Sequence, residues 1–184
     1  ILQAHQQVLS VHPDALLWLA PRHTNRTTQL IPLLDHLTQP MPGGWCRYSD
    51  LTDQSTVDAS DLSVVLVDQM GVLMPLYELA DVAFMGGSLV AHGGHNPIEA
   101  SRAGAVVITG PHVDSFSDVY EVYDAHKARL VVETSSDIAR SVLSTWRCKS
   151  LMLSDALNAL NALPGGTLPL TLSHLNRLLD QGRP

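Results

Sequence analysis

Short runs of β-branched and apolar residues recur along the chain, at residues 15–20, 45–48, 63–67, 82–85, 105–109 and 130–132, and each predicts a strand. Between them, residues 28–39, 73–80, 96–103, 117–125 and 136–144 place apolar side chains three or four apart, the spacing of one-sided helices covering a sheet. Strand and helix alternate almost throughout. The runs Val64-Val65-Leu66-Val67 and Ala105-Val106-Val107-Ile108 lack polar alternation, as strands do when helices cover both faces of a parallel sheet. The pattern predicts an α/β fold, a Rossmann-like doubly wound parallel sheet.

Residues 1–10 also carry apolar positions at helical spacing, without the basic-then-apolar order of a signal peptide, and a chain opening in mid-helix reads as a piece of a longer protein. After Arg147 the pattern becomes rich in leucine and alanine, predicting terminal helices over 151–163 and 168–179 on either side of Pro164-Gly165-Gly166. Their leucines read as packing surface. The expectation is one nucleotide-binding domain over 1–184, with C-terminal helices from about residue 150.

Composition changes the picture in three respects. The formal charge of −7 removes nucleic acid and anionic bilayers as main partners, because both call for a basic stripe. No run reaches the roughly 20 apolar residues of a membrane span. The two cysteines, Cys46 and Cys148, match no metal or redox spacing and suit reduced thiols better than a disulfide framework.

In open parallel sheets ligands bind beyond the carboxyl ends of the strands, which directs attention to three loops. The first runs from Gly86 to Glu99 and holds Gly86, Gly87, Gly93 and Gly94, residues that admit positive φ and close backbone approach. Its end reads as a helix start, with Asn96 as N-cap, Pro97 as first helical residue and Glu99 at the capping-box position. Such a terminus suits a phosphate or carboxylate, whereas a capping box alone would account for Glu99. The second loop, Pro21-Arg22-His23-Thr24-Asn25-Arg26, offers in Arg22 a guanidinium that can clamp an oxyanion, and equally reads as a solvated turn. The third, Asp68-Gln69-Met70-Gly71, can face a base or ribose or simply turn at Gly71. His92, His95, His112 and His23 lack metal-ligand spacing, and the expectation is no metal.

These same residues resemble a known family. Val82-Ala83-Phe84-Met85-Gly86-Gly87-Ser88-Leu89, His92-Gly93-Gly94-His95-Asn96-Pro97-Ile98-Glu99 and Gly110-Pro111-His112, with Pro21-Arg22-His23 and Met70-Gly71 upstream, resemble the bacterial 3-deoxy-D-manno-octulosonic acid (Kdo) transferases of lipopolysaccharide synthesis. The likeness spans about residues 1–123. It implies the C-terminal, donor-binding half of a two-domain GT-B glycosyltransferase, with CMP-Kdo as donor substrate and a lipid A precursor as acceptor. It further implies work at the cytoplasmic face of the inner membrane. Membrane association, acceptor contacts and the glutamate base would belong to an N-terminal domain outside this chain, which would then hold no catalytic residue and need no other cofactor.

Carried over by residue, the resemblance places Arg22, with His23 beside it, at the donor's phosphate or carboxylate, and Met70 with Gly71 along the nucleotide. Gly93, Gly94, His95 and Asn96 would surround the donor's anionic part, Gly87 and Ser88 would also belong to the donor site, and Glu99 would accept from ribose hydroxyls or orient the loop. Val72, Asn25 and Asp114-Ser115-Phe116 depart from the family's usual residues. Two other readings fit the residues: a GT-B transferase or epimerase using a UDP-sugar, and a sugar-nucleotide-binding module without catalysis.

Overall fold

The computed structural model describes residues 1–23, 27–52 and 61–163; Asn25 and the helix expected over 168–179 lie outside the described residues. The chain runs α1 (Leu2–Leu9), β1 (Leu17–Leu19), α2 (Thr27–Leu37), β2 (Gly44–Arg47), α3 (Tyr48–Thr52), β3 (Leu62–Leu66), α4 (Leu73–Leu79), β4 (Val82–Met85) and α5 (Ile98–Arg102). It continues through β5 (Val106–Thr109), a 3-10 turn (Asp114–Phe116), α6 (Ser117–Ala125), β6 (Arg129–Val131) and α7 (Ser135–Ala162). Every strand pair is parallel, as expected of an α/β fold. The ladders form two three-stranded sheets, β1-β3-β2 and β4-β5-β6. Hydrophobic patterning reports a strand's burial and not its neighbours, so this division is visible only in the structure.

Helices cover both faces of the second sheet. Along β5 the side chains alternate: Val107 packs with Ala83, Met85, Tyr120 and Tyr123, while Ile108 packs on the other side with Val8 and Ile138. Helix α7 serves both clusters. Its first half supplies Ile138 and Ala139 to one, and its second half supplies Ala156 and Ala159 to the other. Within α7 the two helices expected over 136–144 and from about 150 meet at a kink at Cys148, where the backbone leaves the helical region with φ −127° and ψ 18°. The kink lies at the amino-terminal edge of the sheet. There Asp81, just before β4, accepts from the Trp146 indole at 3.2 Å and from the Lys149 ammonium. The start of α7 is fixed by a capping box, with the Thr134 hydroxyl accepting from Asp137 N at 3.1 Å and the Asp137 carboxylate accepting from Thr134 N at 3.1 Å.

The first sheet packs through Val64 and Leu66 against Leu34 of α2 and Leu2 and Leu9 of α1. Helix α1 is docked by a polar bond as well: the ring of the buried His5 meets the Ser63 carbonyl through Nε2 at 2.8 Å. Because the carbonyl only accepts, Nε2 carries the proton. Burial lowers the His5 pKa below its ordinary 6.5, and the Ser63 bond pulls weakly the other way. On unfolding in acid this ring therefore takes up a proton that it does not hold when folded. Its contribution is complete above about pH 6.5 and is lost as pH falls from there toward the lower folded value. The urea midpoint is expected to drop between about pH 7.5 and about pH 5, and to drop less in His5→Gln, which removes this titration.

Candidate functional site

The loop from β4 to α5 is held to the loop after β5 by one residue. Ser88 is fully buried; its hydroxyl donates to Met85 O at 2.5 Å and accepts from Gly110 N at 2.7 Å, and its carbonyl accepts from His112 N at 2.9 Å. Ser88, expected at the donor site, thus works as a latch between two strand exits. Further along, Gly94 N donates to Gly87 O at 3.1 Å and Ser115 N donates to Gly93 O at 3.1 Å. The glycines follow from this packing. Gly87, Gly93 and Gly94 have φ of 71°, 81° and 71°, and a Cβ on Gly94 would stand 3.2 Å from the His112 carbonyl. Much of the glycine requirement in this loop is therefore internal.

The polar side chains at the loop's end are set differently. His95 is half-buried, and its Nδ1 lies 2.6 Å from Gly86 O, so Nδ1 carries a proton. Asn96 is exposed, and its Oδ1 accepts from Ile98 N at 3.0 Å; the N-cap position itself falls on Pro97, one residue later than expected, so Asn96 stands just before it. The capping box is absent. Glu99 is exposed, and among the described residues its carboxylate makes no hydrogen bond. Helix α5 is also shorter than expected, beginning at Ile98 and ending at Arg102, so its dipole is modest.

The other expected residues lie beyond β1 and β3, which are neighbours in the first sheet with Val67 N bonded to Leu19 O at 2.9 Å. Arg22 and His23 are exposed, Met70 is 77% exposed, and Gly71 turns with φ 82°. The Asp68 carboxylate is occupied, accepting from Ser49 N at 3.1 Å and Ser49 Oγ at 2.7 Å, which ties α3 to the exit of β3. The two groups of loops are joined through α4 and α5, which pack together. Burial, and then the negative charge of Glu99, raise the pKa of the Tyr77 phenol on α4. Met70-Gly71 and Glu99 thus flank one helix pair.

Behind the His95 loop stand groups that no sequence motif marked. The Tyr120 hydroxyl donates to His95 O at 2.7 Å, and its pKa is pushed well above the ordinary range by burial. The Arg129 guanidinium lies 4.8 Å from the Tyr120 ring centroid, forks onto Asp124 at 2.6 and 2.7 Å and donates to Thr109 Oγ1 at 2.9 Å. Their only signal in the sequence was an amphipathic helix and a strand-edge arginine. Among the described residues there is no group of three or more histidine, cysteine or acidic side chains placed to hold a metal. Nor is any helix there long and apolar enough to cross a membrane.

This parallel α/β fold with its glycine-rich strand exits is that of the Rossmann-like domains of GT-B glycosyltransferases. It resembles the crystal structure of the C-terminal CMP-Kdo binding domain of WaaA from Acinetobacter baumannii, with a TM-score of 0.69 over 86% of this chain and 83% of that one, at 24% identity. In sequence the chain is similar to the Kdo transferases. It is 36% identical to the 3-deoxy-D-manno-octulosonic acid transferase of Haemophilus influenzae over 139 residues, which are 74% of this chain and 30% of that protein. With the enzyme of the same name from Bordetella pertussis it shares 32% identity over 177 residues, 95% of this chain and 39% of that one. The chain therefore spans well under half the length of these relatives. No protein-family model matches it.

Proposed function

We propose that this chain is the donor-binding domain of a Kdo transferase that moves Kdo from CMP-Kdo to a lipid A precursor. The observation that carries the reading is the loop from Gly86 to Glu99: its backbone is fixed by Ser88 and Gly94, while the Asn96 and Glu99 side chains stand at the surface. Arg22 would take the phosphate or carboxylate of the donor, Met70 and Gly71 would line the nucleotide, and Glu99 would accept from the ribose hydroxyls. In the transfer, the acceptor hydroxyl oxygen bonds to the anomeric carbon of Kdo, the bond from that carbon to the CMP phosphate breaks, and the hydroxyl proton passes to a base. CMP leaves with the electron pair. Arg22 would stabilise the charge gathering on the departing phosphate, as a fixed cation does without reorganising. The base, the acceptor contacts and the association with the inner membrane would come from a part of the protein outside these residues.

Calorimetry on the purified 184-residue chain tests the reading. It is expected to bind CMP more tightly than UMP and, mixed with CMP-Kdo and a lipid A precursor, to transfer no Kdo. Preference for UMP would favour a UDP-sugar enzyme, and transfer by the chain alone would place the base within it.

A further inference from the structure

We propose that Tyr120 is a positioning residue for the donor phosphate, acting through His95. The inference rests on the donor-site reading above and adds to it a residue remote from the strand-exit loops in sequence. His95 is fixed at two points, its ring by the Nδ1 bond to Gly86 O and its main chain by the Tyr120 hydroxyl on its carbonyl. With Nδ1 committed, Nε2 is the ring nitrogen without a partner among the described residues. Nε2 donates to a phosphate oxygen when the ring carries a proton on both nitrogens.

Tyr120 is built to hold one position. It is 1% exposed, meets Tyr123 edge-on with ring centroids 6.1 Å apart, and lies under a guanidinium that is itself held by Asp124 and Thr109. Arg129 thereby links β5 and α6 to the tyrosine, and the tyrosine hydroxyl passes that rigidity to the main chain of His95.

The test compares CMP with cytidine, which lacks the phosphate, in titrations of the wild-type chain, Tyr120→Phe and His95→Gln, with melting curves alongside. Tyr120→Phe keeps the ring, its burial and the cation above it, and removes one oxygen. The expected result is a fall of about ten-fold in CMP affinity, reproduced by His95→Gln, with cytidine affinity unchanged within about two-fold. In the double variant the two losses do not add. Equal losses for CMP and cytidine, or no loss for CMP in a folded Tyr120→Phe, would overturn the proposal. Should Tyr120→Phe fail to fold, Arg129→Lys, which cannot fork onto Asp124 and reach Thr109 at once, must show a smaller selective loss of CMP, and unchanged CMP affinity there overturns it as well. A wild-type chain that binds no CMP would instead bring down the donor-site reading.

Discussion

Glu99→Gln is expected to lower affinity for CMP-Kdo about ten-fold to a hundred-fold while leaving the melting temperature nearly unchanged. The structure separates the two roles that this residue could have. A capping-box glutamate would be tied to the N-cap backbone, and its loss would show as stability; here Ile98 N is met by Asn96 Oδ1, and the Glu99 carboxylate is exposed, without a hydrogen bond among the described residues. What remains to lose internally is its charge near the start of a five-residue helix, on the order of a few tenths of a kcal/mol. Toward a ribose the arithmetic differs. A carboxylate accepting from hydroxyls contributes about 1.5–3 kcal/mol, and the glutamine amide turns one acceptor into a donor facing donors. The check is a CMP-Kdo titration beside a thermal melt, and equal affinities would reduce Glu99 to a surface residue.

The largest loss of stability is expected from Gly110→Ala. A methyl group there would overlap the Ser88 carbonyl and approach Leu89 N to 2.6 Å, all backbone atoms that no rotamer change can move. Relief requires parting the two loops, which breaks the bonds from Gly110 N and His112 N to Ser88 together. The expected cost is about 3–5 kcal/mol, among the larger effects of single substitutions. Gly104→Ala supplies the control. Gly104 has φ of 90° but open space around the added carbon, so only the left-handed backbone is penalised, at about 1–2 kcal/mol. Urea unfolding of the two variants should separate them clearly, and similar costs would show that the latch can yield.

Much of the fold was legible in the hydrophobic pattern, because each buried strand is a short apolar run and each covering helix has one apolar stripe. All six strands stand close to their expected places. Helix α3, Tyr48–Thr52, was missed because five residues are too few to display a period. The interruption at Cys148 was legible too, since a change of packing partner there interrupts the apolar spacing. At the candidate site, the glycines and Asn96 were legible through backbone chemistry, and their reasons changed on inspection: Gly93 and Gly94 are required by the close approach of residues 112–115 as much as by any ligand. Tyr120 and Arg129 could not be found in this way. Their importance lies in a hydrogen bond across 25 residues and a cation over a ring, and neither relation leaves a local mark on the sequence.

The kinked course of α7 sets a lower limit on how much polypeptide is needed to present this loop. Its second half, beyond Cys148, brings Ala156 and Ala159 into the cluster that contains Tyr120 and Tyr123. A truncation at the bend would keep every strand and every loop discussed above, yet would open to water the face on which the tyrosine beneath His95 is seated. A piece of this protein that keeps that face covered therefore extends to about residue 162, some fifty residues past the last strand-exit motif of the site.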